Sequence, residues 1–433
     1  MALFLTYVKG KLLTDVVTML QQLFSDMLQM KSRRLASFGA IGKERRKTRK
    51  RSHRSSTIQK RSQSKKRHSG IIRRQSPGCK KYYVAPLKEL NPISLRESLE
   101  RVVPCDWIEV NPRDYKNYRY EKDDSNPSYL DFLFQDGEKS DVELYNLLTK
   151  ARGRLNADAI SNKASLHRLI NHFGKRHIIS STDIYNYSSR PNFNKYKKGK
   201  WIWRPSSGRS GRGVHAVSSS EELEELWAEF KKTKKHRNDS ILISRYIDNP
   251  LLVGGYKFHI RMNLILKIKD GKKVSGALVK GGKIIRSKLP YKKEDYQNAN
   301  IHDTHARYNA PLKFPEDFPR EYSANAIFSK MLNAVSIATS IVSDPKIKSL
   351  GFDPISVYPE ESGEKTTGFE IFGCDFMIDD KGKVYLIEIN RKPGFSEEQL
   401  VNTSTYVFTT IAELLYGNGK DYTYASPIKI DRN

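Results

Sequence analysis

The sequence predicts an α+β protein built from several lobes. Strand-like and helix-like runs are mixed along its 433 residues, and consecutive strands are joined as antiparallel hairpins rather than as regular βαβ units. A chain of this length has room for about two or three domains and for more than one core.

The individual elements follow from residue periodicity. Apolar residues at helical spacing predict helices over 157–172, over "LEELWAEFKK" behind a capping box of Ser219 and Glu222, and over "SANAIFSKMLNAVSIATSIV" and "TYVFTTIAELLY". Apolar or alternating runs predict strands at "WIWRP", "DSILISRYI" and "YKFHIRMNLILKI". We expect "GKKVSGALVKGGKIIRS" to form two more strands with glycine turns, followed by a long loop across 290–320.

Residues 1–30 form an apolar-rich segment with helical periodicity, which predicts an amphipathic helix. Such a helix can dock on the body of the protein or on a partner, and membrane-surface association is the alternative. A signal peptide is poorly supported, because Lys9, Lys11 and Asp15 interrupt the apolar run and no small-x-small cleavage site follows.

Residues 31–78 are predicted to be a disordered basic arm. From Lys31 to Arg74 there are 18 Lys or Arg residues against one acid, Glu44, so this segment carries +17 of the total charge of +29 and leaves +12 for the remainder. A segment so poor in large apolar residues cannot offset the entropy cost of ordering.

The cysteines argue for a reducing compartment. Cys79, Cys105 and Cys374 are odd in number and widely spaced, which excludes a disulfide framework and a cysteine zinc site. No run of 18 apolar residues occurs in the sequence, so no transmembrane span is predicted.

An acidic hairpin is the most informative motif. In "FGCDFMIDDKGKVYLIEINRKPGF", two strand-like runs flank a turn, and Glu388 and Asn390 share a face because they are two residues apart. We expect Leu386 on that face too, with Ile387 and Ile389 packed on the other, and Asp375 across from the pair. These oxygens suit Mg²⁺. A polar, solvated sheet face is the alternative.

A glycine-rich loop follows a strand at "WIWRPSSGRSGRGV". Glycine lets backbone N–H groups approach an anion closely, and Arg204, Arg209 and Arg212 supply positive charge. The spacing fits neither a Walker A loop nor a dinucleotide fingerprint, and a flexible hairpin is the alternative reading.

These motifs and their order resemble the tubulin-tyrosine ligase-like family of ATP-grasp ligases over about residues 100–416. The resemblance is carried by "NKASLHRL", "WIWRPSSGRSGRGV", "RYIDNPLLVGGYKFHIR" and "FEIFGCDFMIDDKGKVYLIEINRKPGF". It implies an ATP-grasp fold with an N-terminal lobe at 79–172, a central lobe at 173–248, a C-terminal lobe with the metal site at 249–420, and a tail at 421–433.

The resemblance also implies a reaction and its site residues. ATP phosphorylates a protein carboxylate, and the amine of an amino acid attacks the acyl phosphate; bringing these anions together needs Mg²⁺ and a ring of cations. Asp375, Glu388 and Asn390 would hold Mg²⁺, with Arg261, Lys280 and Glu388 as catalytic residues. The nucleotide would contact Lys163, Arg204, Gly211, Gly213, Ser244, Arg245, Tyr246, Ile247, Lys257, His259, Thr304 and His305.

Four positions depart from the family pattern. Arg204 stands where Lys is usual, His259 where Asp is usual, and His305 where Asn is usual; Gln is also usual at Ser244. Arginine keeps the charge of lysine but not its shape, and histidine replaces an anion with a neutral or cationic group. An inactive relative that serves as a nucleotide-binding or nucleic-acid-binding scaffold therefore remains an alternative.

The resemblance implies two partners. One is a protein acceptor, which is tubulin or another acidic tail. The other is a free amino acid: glutamate, glycine and tyrosine stay open, and glutamate is preferred, which would make the reaction polyglutamylation. The location implied is the cytoplasm, with the cytoskeleton. The basic arm can also bind nucleic acid without sequence preference, since it lacks aromatic residues for stacking between Gly39 and Lys81. Importin binding and nuclear entry are equally compatible with it.

Overall fold

The fold was analysed in a computed structural model. The described residues are 80–84, 92–102, 106–109, 132–133, 155–208, 211, 213–233, 238–269, 273–302, 304, 311–357, 368–391, 393, 403–418 and 421–430. The predicted N-terminal helix, the predicted basic arm, Arg209, Arg212 and His305 lie outside these residues.

The helices and strands mix as the sequence predicts. The helices are α1 (Pro92–Val102), α2 (Asp158–Ser161), α3 (Lys163–His172), α4 (Ser220–Lys232), α5 (Ala299–His302), α6 (Ala324–Ser343) and α7 (Thr403–Tyr416). The strands are β1 (Lys80–Val84), β2 (Asp106–Glu109), β3 (Phe132–Leu133), β4 (Leu155–Asn156), β5 (Thr182–Asn186), β6 (Trp201–Pro205), β7 (His215–Val217), β8 (Ser240–Arg245), β9 (Leu252–Val253), β10 (Tyr256–Lys269), β11 (Lys273–Arg286), β12 (Leu312–Phe314), β13 (Ser356–Val357), β14 (Gly368–Ile378), β15 (Val384–Arg391) and β16 (Ala425–Pro427).

Two antiparallel sheets frame the central part of the chain. The smaller sheet has the order β5-β8-β6-β7, and the larger one has the order β12-β11-β10-β14-β15, with β16 paired to β11 and β9 paired to β10. A three-stranded sheet, β2-β1-β3, and the pair β13-β4 complete the described strands. The fold is therefore α+β, as predicted.

The two faces of the larger sheet are covered differently. Leu264 and Leu266 of β10 point into the main core, where α6 also packs, whereas Ile265 packs in a second cluster with Phe408 of α7. The side chain of Lys267, on the same face as Ile265, donates to the carbonyls of Leu414 and Leu415 at 3.0 and 2.9 Å and so caps the end of α7. The N-terminal half of β10 is left facing the smaller sheet.

Local capping explains two helix starts. Asn162 interrupts the helix predicted over 157–172, because its side chain accepts a hydrogen bond from the Ser165 N–H and begins α3. Ser219 caps α4 by accepting from the Glu222 N–H, as predicted. The Glu222 carboxylate accepts from the Ser218 N–H rather than from that of Ser219.

Two local expectations are wrong. The segment predicted as two strands with glycine turns is the single strand β11, in which Gly282 packs too closely for a side chain: a Cβ there would lie 2.2 Å from Met262 Sδ. In β15 a register shift at Ile387 breaks the alternation, so Leu386 is buried in the core with Ile389, although it also borders the cavity that Glu388 lines.

Helix α6 is long and apolar enough to span a membrane by length and composition, but half of its apolar window is buried inside the protein. Its buried residues, including Met331, Val335 and Ala338, belong to the main core. We therefore describe α6 as a core helix.

Candidate functional site

A cavity of about 270 Å³ lies between the smaller sheet and the N-terminal half of β10. Twelve of the predicted site residues line it: Lys163, Arg204, Gly211, Ser244, Arg245, Tyr246, Ile247, Lys257, His259, Thr304, Asp375 and Glu388. Ile202, Val214, Met377 and Leu386 add apolar surface. The cavity thus combines an apolar wall with several cations and two carboxylates.

The acidic hairpin has the predicted pairing. Asp375 of β14 is directly opposite Glu388 of β15, and Gly373 is opposite Asn390. The Asn390 amide donates to Glu388 Oε1 at 2.6 Å and to Asp375 Oδ2 at 3.3 Å. The three side chains therefore converge, although the described residues include no cluster of three or more His, Cys, Asp or Glu side chains with metal-site geometry.

Asp375 and Glu388 are each paired with a cation. Arg261 of β10 donates from Nε and Nη2 to the two oxygens of Asp375 at 2.7 and 2.6 Å, and the Asp375 charge raises the pKa of Arg261 above its usual range. Lys163, at the start of α3, lies 3.0 Å from Glu388 Oε2 and also donates to the carbonyl of Gly208 at 2.6 Å. Lys163 thus links the hairpin to the glycine loop.

Arg204 is a buried cation held by neutral acceptors. It is 8% exposed, and its guanidinium donates to Ile387 O at 3.4 Å and to Ser244 Oγ at 3.5 Å and lies 3.3 Å from His167 Nε2. Burial lowers the pKa of Arg204, and the nearby charge of Glu388 opposes that shift. A guanidinium in such a place is stabilised when an anion enters the cavity.

Lys257 is a second buried cation and lies at the apolar end. Its ammonium donates to the Tyr246 hydroxyl at 3.3 Å, and that hydroxyl is 2.9 Å from His302 Nδ1. Burial lowers the pKa of Lys257 to about 7 and, together with the charge of Lys257, lowers the pKa of His302 to about 3. At physiological pH His302 is therefore neutral and Lys257 is only partly protonated.

His259 lies in the N-terminal half of β10 and is buried. Its Nδ1 is 2.6 Å from Thr304 Oγ1, and its Nε2 is 3.8 Å from Asp375 Oδ1. Lys257, His259 and Arg261 point to one face, as their spacing predicts.

The glycine loop has a fixed root. Gly211 and Gly213 have φ of 73° and 74°, and a Cβ on Gly213 would lie 3.0 Å from Pro205. Asp239 accepts hydrogen bonds from both side chains of Ser206 and Ser207 and from the Ser207 and Ser240 N–H groups. Burial alone would raise the pKa of Asp239, but these hydrogen bonds outweigh burial and lower it.

Lys280 is not brought to the cavity. It is exposed on β11, and its N–H donates to the carbonyl of Tyr424. Lys283 is the lysine paired across from Arg261, and burial, with the charge of Arg261, lowers the pKa of Lys283 to about 8.

Sequence reasoning missed His167, Lys283 and His302. His167 shares a quoted motif with Lys163 and lies one helical turn beyond it, so helical spacing alone places the two on one face. His302 reaches the cavity through the path of a loop, and strand register brings Lys283 beside Arg261; the sequence holds no local signal for either placement.

The geometry defines a cavity suited to an anionic ligand beside a convergent oxygen-rich hairpin. The sequence matches the Tubulin-tyrosine ligase family over residues 146–272 and 286–415, more than half of the chain. The chain therefore belongs to the tubulin-tyrosine ligase family, the ATP-grasp relatives predicted from its motifs.

Individual relatives are distant. The chain is 24% identical over 232 residues to the human protein named tubulin polyglutamylase TTLL7, covering 48% of this chain and 24% of that protein. It is 24% identical over 227 residues to the protein polyglycylase TTLL10 of Rattus norvegicus, covering 45% and 31%. The chain thus spans less than a third of the length of these two relatives.

A solved structure with some likeness is the C-terminal domain of K. lactis Pby1, described as an ATP-grasp enzyme interacting with the mRNA decapping enzyme Dcp2. The likeness covers 78% of this chain and 92% of that domain at 16% identity and a TM-score of 0.47. A similarity at this level adds nothing to the family assignment.

Proposed function

We propose that this protein is an ATP-dependent ligase that joins an amino acid to a carboxylate of a protein acceptor, by family tubulin or a similar acidic tail. The observation that carries the proposal is the convergence of Asp375, Glu388 and Asn390, of which Asp375 and Glu388 line the cavity together with Lys163 and Arg204. Glutamate is the proposed amino acid, with glycine and tyrosine as the alternatives.

The cavity has complementary ends for a nucleoside triphosphate. Tyr246 and Ile247 offer apolar surface and backbone groups to a base, while Arg204 and Lys163 lie toward the hairpin and face phosphates. The backbone of the glycine loop would lie over those phosphates, since its root at Ser206 and Ser207 is fixed.

The hairpin fits Mg²⁺. The Asn390 amide nitrogen donates to both carboxylates, so the three side chains lie together on adjacent strands. The two carboxylates and the amide oxygen would form the oxygen donor set that this ion prefers. When bound, the ion would offset the charge of the phosphates. Lys163 and Arg261 hold the Glu388 and Asp375 carboxylates in place.

In the proposed reaction the γ-phosphoryl group passes to an acceptor carboxylate oxygen, and ADP leaves. The amine nitrogen then attacks the carbonyl carbon, phosphate departs with the electrons of the C–O bond, and the nitrogen loses a proton. Arg261 and Lys283 together place positive charge beside the hairpin, where the incoming carboxylates must approach.

The test is incorporation of labelled glutamate, glycine or tyrosine into tubulin with Mg·ATP by the wild type and by Glu388→Gln. We expect the variant to keep the fold and to lose turnover by at least about 100-fold, because a charge facing the ion is removed. Asp380→Asn, an exposed carboxylate at the hairpin turn, is the matched control and should retain turnover.

Turnover by Glu388→Gln at the wild-type rate would exclude the proposed role of the hairpin. Nucleotide binding without incorporation of any of the three amino acids would instead favour the inactive relative, for which the departures at Arg204 and His259 provide a reason.

A further inference from the structure

His167 is a buried histidine that touches two parts of the site at once. It lies on α3, one turn beyond Lys163, and is 1% exposed. Its Nε2 lies 3.2 Å from the carbonyl of Ile387 and 3.3 Å from Nη2 of Arg204. A single ring nitrogen therefore contacts both the residue before Glu388 and the buried guanidinium.

The Ile387 carbonyl is available because of the register shift in β15. Asp375 pairs with Glu388, but Phe376 pairs with Leu386, so Ile387 has no partner in the β14 ladder. Its carbonyl accepts from Arg204 Nη1 at 3.4 Å as well as lying against His167. The same backbone irregularity sets the direction of the next side chain, Glu388.

Arg204 depends on such contacts for its placement. No ion pair within 4.0 Å connects it to a carboxylate in the described part of the chain, and its three hydrogen-bond partners are neutral and lie 3.3 to 3.5 Å away. A lysine would reach at most one of these acceptors with a flexible ammonium, whereas the planar guanidinium meets several of them. Fixing that plane requires a neighbour with a rigid, flat acceptor.

The imidazole meets this requirement in its neutral form. With Nε2 unprotonated it accepts from Arg204; with Nε2 protonated it donates to Ile387 O, which Arg204 also contacts. Burial first, and the charge of Arg204 second, lower the pKa of His167 to about 3, so no second positive charge competes for the space.

We infer that His167 is a positioning residue of this site: its Nε2 either accepts from the Arg204 guanidinium or donates to the Ile387 carbonyl that Arg204 also contacts, and so sets the phosphate-facing charge relative to the Glu388 carboxylate. The inference rests on the proposed function, because it assigns the phosphates of a nucleotide as the ligand of Arg204. His167 itself need not touch that ligand.

Replacing His167 with Gln or with Asn distinguishes a positioning role through Nε2 from a role in packing alone. A Gln side chain reaches the position of Nε2, whereas an Asn side chain reaches only that of Nδ1, which has no hydrogen-bond partner in the described residues. We expect His167→Gln to bind Mg and a non-hydrolysable ATP analogue within about threefold of wild type. His167→Asn should bind it about 10- to 100-fold more weakly, the range seen for outer-shell partners of a site.

The pair Arg204→Lys and Arg204→Lys/His167→Asn tests whether the effect passes through Arg204. Because an ammonium does not use the His167 contact, His167→Asn should cost less than about threefold when it is added to Arg204→Lys. His177→Leu, at an exposed histidine beyond α3, is the control and should bind like the wild type.

A measurement made without nucleotide tests the role of His167 independently of the proposed ligase function. In protein labelled with [¹⁵N]arginine, we expect a slowly exchanging guanidinium signal, assigned by its loss in Arg204→Lys, to persist in His167→Gln and to disappear in His167→Asn. Failure of the wild type to bind the nucleotide would overturn the proposed function, while this signal would still decide the role of His167.

Three results would overturn the inference. These are equal behaviour of His167→Gln and His167→Asn, additive losses in the double variant, and an Arg204 signal that is indifferent to both substitutions.

Discussion

Lys257 and Arg204 are buried cations without an ion pair to a carboxylate in the described residues, and each costs folding free energy that a ligand can recover. Lys257 is 4% exposed, and its closest polar contact is the neutral hydroxyl of Tyr246. Asp248 is the one nearby charge that favours its protonated form. Burial of a positive charge without a carboxylate partner is typical of binding sites, where folding stability is lower in exchange for ligand binding.

Lys257→Met should therefore stabilise the ligand-free protein and weaken nucleotide binding. The pKa of Lys257 is about 7 in the folded protein against 10.5 in the unfolded chain, so between these values the unfolded state binds more protons and stability rises with pH. We expect the substitution to add on the order of 2 kcal/mol to the free energy of unfolding at pH 8, and less near pH 10.

Thermal unfolding at pH 8 and pH 10 and calorimetry with the ATP analogue measure the two effects. Lys292→Met, at an exposed lysine, serves as the control and should change neither. A less stable Lys257→Met protein would show that the ammonium contributes favourably to the fold.

At the scale of elements, Asp239 joins the start of β8 to the root of the glycine loop. Its carboxylate accepts from two hydroxyls and two N–H groups, which no neutral side chain of its size can do. The loop is thereby anchored at Ser206 and Ser207, while Gly211 and Gly213 supply the positive φ that its return path needs.

Asp239→Asn should loosen this root. The amide presents a donor where Ser207 Oγ already donates, so we expect a loss of about 1–3 kcal/mol and faster amide exchange from 206 to 213. Hydrogen exchange read by mass spectrometry checks the local effect, with Asp353→Asn, at an exposed carboxylate, as the control. Unchanged exchange in the loop would mean that other contacts hold it.

Many of the helices and strands could be predicted from the sequence, because they depend on residues that are close together in the chain. The hairpin of β14 and β15 is confirmed because a short turn and alternating residues fix most of its register. The bulge at Ile387 could not be predicted, since its carbonyl contacts His167, which is 220 residues away in sequence. The sequence did not predict β11 as one continuous strand, because glycine is required at position 282 by the close approach of Met262 and not by a turn.

In the candidate site, too, the residues that are close together in the chain could be predicted, and those brought in by long-range pairing could not. Asp375, Glu388 and Asn390 meet because they belong to one hairpin, and Lys257, His259 and Arg261 share a face because they belong to one strand. Lys280 was expected at the site, yet the register of β10 with β11 places Lys283, and not Lys280, beside Arg261. Such register is set by side-chain packing across the sheet, which the local sequence does not encode.

At the scale of the whole molecule, charge is the dominant property. The chain carries +29, of which +17 lies between Lys31 and Arg74. A field of this sign attracts acidic partners over a distance limited by the salt concentration.

Replacing residues 31–74 with a neutral Gly/Ser segment of equal length should change how the KM for tubulin depends on salt, and should change the turnover rate itself much less. We expect similar turnover with a short acidic peptide, and a weaker rise of KM on tubulin between roughly 50 and 200 mM salt, because screening no longer acts on the arm. Steady-state kinetics at several salt concentrations measure this. Equal salt slopes for the two proteins would remove the arm from acceptor binding.

The C-terminal strand β16 has a consequence for what happens when the chain is shortened. It pairs with Ala277, Leu278 and Val279 of β11, next to the part of β11 that β12 covers, and Ile428 just beyond it packs in the main core. Loss of residues 421–433 would bare a stretch of N–H and C=O groups along an apolar strand. Such an edge can recruit strands from other molecules, so the last dozen residues guard the protein against aggregation.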